Sequence, residues 1–270
     1  MQQNIRIGIA FSGGGARGIA HIGALKALEE AGIKPEVLSG TSAGAIVGCL
    51  YAYGLSIDKM LEFIKDTQLF GLIKLGLPKA GLTKLTYLKE RLTNYIEEDR
   101  FEALQKPLYV AISNLNTGEL EIKHSGPLFE VIMASSSIPL VFKPVEIDGE
   151  IYVDGGLLNN LPVSPLLPHT DFIIGVNVMP HLNVPNKSVQ SLFGIATRCF
   201  DLSIQANSRP ELALCDVVIE PKKCNGYHLF HINKYQEIFD IGYEEAKKQI
   251  PKIKKKLQAL ENSEKQKKLV

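Results

Sequence analysis

Residues 5–19 read IRIGIAFSGGGARGI and residues 37–48 read VLSGTSAGAIVG. In the first stretch Ile5, Ile7, Ile9 and Phe11 alternate with Arg6, Gly8 and Ala10. That is the period of a strand, and a glycine-rich turn over residues 12–18 stops it. Residues 19–31 then place Ile22, Leu25 and Leu28 on one stripe, and Gly32 supplies a helix stop. The second stretch repeats the plan. A short strand over residues 37–39 enters Gly40-Thr41-Ser42-Ala43-Gly44, and residues 45–53 continue as an apolar helix closed by Gly54. Strand, turn and helix twice over predict an α/β chain.

At 270 residues and 45% hydrophobic composition the chain can bury one large core. A net charge of +1 gives no global pull toward nucleic acid or an acidic partner, and neither is expected. Cys49, Cys199, Cys215 and Cys224 match no common zinc or redox spacing and read as reduced thiols. The first residues show no basic stretch leading into an apolar run of signal-peptide or membrane-span length, so a cytoplasmic protein is expected. Further on, residues 55–105 look mostly helical, with the irregular apolar stretch 69–82 as a candidate cover. Strands are expected at 107–113, 172–179 and 217–219, a turn at Asn116-Thr117-Gly118, and a hairpin over 145–153 around Asp148-Gly149. A helix over 235–246 closes a single domain of residues 1–246, ahead of a basic tail, 247–270, in which Pro251 should interrupt the helix.

A serine hydroxyl attacks only after a base takes its proton, and it must project from the backbone. The turn around Ser42 suits that need, because Gly40 and Gly44 lack the Cβ atoms that would strike the facing backbone. The helix that follows aims the positive end of its dipole at the same point. Alone the five-residue pattern is a weak signal, and its place between a strand and a small-residue helix strengthens it. The loop Gly13-Gly14-Gly15-Ala16-Arg17-Gly18 also satisfies the Gly-x-Gly-x-x-Gly fingerprint of a nucleotide-binding enzyme. That reading needs an acidic residue at the end of the second strand, where Ser42 follows instead, and Glu36 lies before the strand. The same loop makes sense as an oxyanion hole, since glycines bring successive amides close to a developing charge.

The base is less clear from local pattern. A Ser-His-Asp hydrolase would draw on His21, His124, His169, His181, His228 or His231, none of which sits in a motif. Asp154 ends the hairpin strand and is followed by Gly155-Gly156, which let the chain bend and bring a carboxylate against another loop. An ordinary Asp-Gly turn is the plainer reading of those residues taken alone.

Taken together, Gly13-Gly14-Gly15-Ala16-Arg17-Gly18, Gly40-Thr41-Ser42-Ala43-Gly44 and Asp154-Gly155-Gly156 resemble, in order and spacing, the patatin-like phospholipase family. The block Ala134-Ser135-Ser136-Ser137-Ile138-Pro139 is similar to another signature of that family. The resemblance implies a three-layer α/β/α fold on a mainly parallel sheet, and a Ser–Asp dyad without a catalytic histidine. It assigns Ser42 as nucleophile, Asp154 as base and the amides around Gly13, Gly14 and Gly15 as the oxyanion hole. Arg17 matches the basic loop position, where it either fixes the loop beside Gly18 or meets a phosphate. A lipid ester is the implied substrate, with no metal or organic cofactor. Lys247, Lys248, Lys252, Lys254, Lys255, Lys256, Lys265, Lys267 and Lys268 add an expectation of peripheral contact with anionic membranes. Oligomeric state leaves no mark on the sequence.

Overall fold

The computed structural model describes residues 5–66, 85–180, 184–227 and 231–267. Its strands are β1 (Ile7–Phe11), β2 (Val37–Gly40), β3 (Leu108–Asn114), β4 (Leu120–Lys123), β5 (Val145–Ile147), β6 (Glu150–Asp154), β7 (Phe172–Val176) and β8 (Val217–Ile219). Its α-helices are α1 (Ile19–Glu30), α2 (Ala43–Ala52), α3 (Ile57–Asp66), α4 (Thr86–Thr93), α5 (Leu128–Ser135), α6 (Leu192–Leu212) and α7 (Tyr235–Lys267). The strands form one mixed sheet in the order β5-β6-β3-β2-β1-β7-β8, with β4 also on β3. The run β3-β2-β1-β7-β8 is parallel throughout, and β4, β5 and β6 pair antiparallel at one edge. The expected α/β architecture on a mainly parallel sheet is therefore present, and helices flank the sheet.

Central parallel strands are covered on both faces, which is why β1 and β7 are apolar at nearly every position and buried throughout. Ile7, Ile9 and Phe11 share the larger core with Phe172, Ile174 and Val176, under α1, α2, α5 and α7. On the opposite face Ala10, Val37 and Ile173 pack on Leu161, Val163 and Leu166, which belong to the chain that follows β6. That second layer is thin, and it is closed by this irregular segment and the end of α6. The parallel strands deliver β1 and β2 to the same edge, so the glycine loop and the Ser42 turn meet there.

The candidate cover at residues 69–82 lies outside the described residues. The C-terminal helix differs from expectation, because α7 runs across Pro251 to Lys267. Proline removes one backbone donor, but here at an exposed position, while Ile253 is fully buried and Ile250, Leu257 and Leu260 pack on the main core. Burial of that stripe outweighs the lost hydrogen bond. Ile253→Ala should accordingly lower stability by about 2–5 kcal/mol, the usual range for emptying a buried isoleucine site. Urea unfolding checks this, and an unchanged midpoint would mean that the helix beyond Pro251 is not docked.

Candidate active site

Ser42 stands at the corner between β2 and α2 with φ 54° and ψ −123°, a conformation that non-glycine residues rarely hold. Such a residue costs about 1–3 kcal/mol and persists only where its surroundings over-determine it. They do so here. The Ser42 amide donates to Ser135 Oγ at 2.9 Å, and the Ser135 hydroxyl donates to the Ala111 carbonyl at 2.8 Å. Thr41 donates from its amide to the Phe11 carbonyl and from its hydroxyl to the Asn159 carbonyl. A Cβ on Gly40 would stand 2.6 Å from the Gly44 carbonyl, and one on Gly44 would strike the Phe11 and Ser12 oxygens. Both glycines are therefore required by close approach of backbone to backbone.

Asp154 reaches the same corner as the last residue of β6, opposite Ile112 of β3. Its amide donates to the Ser137 carbonyl at 3.0 Å, and the Ser113 hydroxyl donates to its carbonyl at 3.0 Å. Gly155 then passes against the Ala111 backbone, where a Cβ would not fit. The Ala134–Pro139 block thus has a structural meaning: Ser135 holds the serine corner and Ser137 holds the aspartate. Asp154 is 2% exposed and its carboxylate accepts from the Gly156 amide at 2.7 Å, with the Ser42 hydroxyl close enough to act on its titration. Burial pushes its pKa from an ordinary 3.8 up to about 7, against the pull of these two groups.

The glycine loop lies beside this pair. Ser12 anchors its start, with its hydroxyl donating to the Gly13 carbonyl and accepting from the Val178 amide at 2.9 Å. His21 Nε2 donates to the Ser12 carbonyl at 2.8 Å, so that nitrogen carries the ring proton. Burial drives His21 down to about 4, which leaves it a neutral support of the loop. The Gly13 amide, expected among three donors facing an ester, is turned instead to the Asn160 carbonyl at 3.1 Å. The Gly14 and Gly15 amides have no such partner among the described residues. Arg17 donates from Nε to the Tyr227 carbonyl at 2.8 Å and lies near Asp201. Gly18 allows the loop to settle on Ala43, the first residue of α2. Glu36, the acid nearest to a ribose-binding position, faces Arg6 at the other end of β2. His124 and His169 pack on the Tyr109 ring, His231 meets Tyr227 edge-on, and His181 and His228 lie outside the described residues.

Ser42 opens on a cavity of about 110 Å³ lined almost wholly by carbon, including Ile46, Val47, Phe63, Leu88 and Phe142. Ser136 also borders it.

A family model described as patatin-like phospholipase matches residues 9–167, which carry the loop, the serine corner and Asp154. The chain belongs to the patatin-like phospholipase family. Among curated relatives, an uncharacterised NTE family protein of Mycobacterium tuberculosis is 28% identical over 243 residues, covering 80% of this chain and 41% of that protein. A lysophospholipase of Aspergillus fumigatus is 26% identical over 295 residues, covering 97% of this chain and 19% of its own length. The chain therefore spans well under half the length of these two relatives. Among solved structures, human GIVD cytosolic phospholipase A2, in complex with methyl gamma-linolenyl fluorophosphonate, superposes with a TM-score of 0.55 at 12% identity, over 96% of this chain and 60% of that one. VipD from Legionella pneumophila gives 0.54 at 17% identity, over 92% and 67%. At these identities the likeness is one of fold.

A carboxyl that binds its proton more tightly in the native than in the unfolded chain makes stability fall as pH rises from about 3.8 to about 7. Above that window the buried charge costs about 4 kcal/mol. Asp154→Asn keeps an acceptor for Gly156 without the charge. Its melting temperature should exceed that of the wild type at about pH 8, with the gain vanishing toward pH 4. Thermal melts across that range test the assignment, and a variant less stable at the alkaline end would contradict it.

Proposed function

We propose that the chain hydrolyses acyl esters of lipids, with Ser42 as nucleophile and Asp154 as its base. The observation that carries this reading is the strained Ser42 corner set beside the buried Asp154 carboxyl at the mouth of an apolar cavity. An exposed aspartate is too weak a base for a hydroxyl, and one held near 7 is matched to neutral pH. As Ser42 Oγ attacks the ester carbonyl, its proton passes to Asp154. The oxyanion that forms faces the Gly14 and Gly15 amides, with the Gly13 amide spent on holding the loop to Asn160. Collapse expels the alcohol, which takes the proton from Asp154 and leaves an acyl ester on Ser42. Water then gives a proton to Asp154, attacks the acyl carbon and releases the fatty acid as the proton returns to Ser42.

The cavity supports an acyl chain as the group bound beside Ser42, since it offers carbon and few polar partners. The name of the fungal relative favours a lysophospholipid among lipid esters. Arg17 acts as a brace for the loop, because its guanidinium is already committed to Tyr227 and lies near Asp201. Among the described residues no helix is long and apolar enough to cross a membrane. Peripheral contact through the lysines of α7 would be electrostatic alone, at about 1 kcal/mol per residue near an anionic surface, because its apolar stripe is turned into the core.

Ser42→Ala should abolish both ester turnover and labelling by a fluorophosphonate, measured on a soluble ester and by in-gel fluorescence. Labelling that survives the substitution would place the nucleophile elsewhere. Wild-type kcat/KM should rise with pH through a single step near the Asp154 value of about 7. A step below about 5 would argue that the carboxylate is solvated. Gly15 has φ 56°, and Gly15→Val should cut kcat by roughly a hundredfold, the scale of losing an oxyanion donor. Full turnover in that variant would remove the loop from the chemistry.

A further inference from the structure

The segment that follows Asp154 is held by one face of α6, a helix that begins 25 residues beyond the family match, which ends at residue 167. Ser203, Asn207 and Glu211 recur every four residues and so stand in a row on that face. The Ser203 hydroxyl donates to the Leu157 carbonyl at 2.7 Å. Glu211 accepts from the Val163 and Ser164 amides at 2.7 and 2.8 Å and from the Ser164 hydroxyl and Asn159 Nδ2. Asn207 sits between them. Its Nδ2 donates to the Gly156 carbonyl at 2.9 Å and the Leu157 carbonyl at 3.2 Å, and its Oδ1 accepts from the Asn160 amide at 3.0 Å.

Two of the three residues that Asn207 grips have opposite backbone groups that reach the candidate site. Gly156 offers its carbonyl to Asn207 and its amide to the Asp154 carboxylate. Asn160 offers its amide to Asn207 and its carbonyl to the Gly13 amide. One side chain therefore spans the base and the oxyanion loop, with a single residue between it and each.

We infer that Asn207 is a positioning residue for the reaction, setting the orientation of Asp154 and the placement of the Gly13–Gly15 backbone together. The inference rests on the hydrolase reading above and assigns a residue to it that touches neither substrate nor the reacting atoms. Its physical basis is that a carboxylate and an oxyanion hole must be in register to within a fraction of an ångström, and a misplacement of about 1 Å costs on the order of a hundredfold. Backbone of a turn cannot hold that register unaided. A planar amide with two donors and an acceptor can bind two carbonyls and one amide at once, which a hydroxyl, with its single proton, or an aliphatic chain cannot.

The test compares the full chain with Asn207→Ala, the near-isosteric Asn207→Asp, and Ser208→Ala as a control on the same helix. Among the described residues the Ser208 hydroxyl bonds the Ile204 carbonyl alone, within α6, so its loss reports on damage to the helix. Asn207→Asp keeps the acceptor for Asn160 and loses both donors, and it carries the test if the alanine variant does not fold. Each protein is assayed on a soluble p-nitrophenyl ester across pH, with melting temperature measured in parallel. Both Asn207 variants should lose about ten- to a hundredfold in kcat with KM held within about threefold. Their acid limb should also move to higher pH as the Gly156 amide slackens its hold on Asp154, while Ser208→Ala matches the wild type. Ser42 and Gly156 are the groups that act on the Asp154 carboxyl, and no charged side chain among the described residues contributes, so in Asn207→Ala the limb reports on this contact, and in Asn207→Asp on it together with the added charge. Unchanged kcat in both variants, or a loss confined to melting temperature with the limb in place, would overturn the inference while leaving the hydrolase reading standing. A wild type that hydrolyses no ester would overturn both.

Discussion

The Asp154 carboxyl is kept out of water with the Gly156 amide as its donor and the Ser42 hydroxyl beside it, and much of the neighbouring structure follows from what that placement demands. Taking a carboxylate from water is expensive, and these two groups repay only part of the cost. The deficit appears as a pKa near 7, which would also suit an aspartate to the proposed role of base at neutral pH, with no imidazole between it and the serine. The same deficit destabilises the fold, so the carboxyl must be pinned by groups that do not themselves relieve it. Ser137, Ser113 and the tight passage of Gly155 over Ala111 bind backbone atoms of this segment and leave the charged oxygens alone.

Strain at Ser42 belongs to the same arrangement. A serine at φ 54° would relax if its amide were free, and Ser135 removes that freedom by accepting from it and anchoring itself on β3. Since β3 also pairs with β6, the strand that carries Asp154, Ser42 and Asp154 are referred to one strand through short links. The length of the sequence between residues 42 and 154 is then immaterial to their register.

How much of this could be read from the chain depended on whether a residue's role was local. The strand at β1, the corner at Gly40–Gly44 and the hairpin around Asp148-Gly149 are set by steric rules that act over a few residues, and each stands where its pattern predicts. The carbonyl that claims the Gly13 amide comes from Asn160, across more than a hundred residues, and no local pattern announces it. Helix α6 is harder still. Its first half leaves Leu192, Phe193, Ile195 and Leu202 exposed, so its apolar residues do not mark a core-facing stripe, and its useful face is polar. The serines of 134–139 were visible as a block, yet which of them held the corner and which the aspartate depended on the pairing of β3 with β6. Pro251 misled in the opposite sense, because a rule about one missing donor was outweighed by four apolar side chains packing on the core.

These contrasts bear on how a dyad can work where a triad is more familiar. In a triad the histidine is a lever that can turn toward serine or leaving group, and its carboxylate partner only steadies it. In the mechanism proposed for this chain the carboxyl itself must face serine, leaving alcohol and water in turn from one position, because β6 and Gly155 give its backbone no room to follow them. Accuracy of placement has to replace mobility. Placement of that kind cannot come from the motif residues alone, since the glycines that permit close approach also leave the backbone free to move. The segment after Asp154 is two glycines and a 3₁₀ turn, and it is steadied by the row of polar side chains on α6. A helix beyond the stretch matched by the family model is in this way tied to the candidate site: the loop can be glycine-rich beside Ser42 because the segment behind it is tied down where it meets α6.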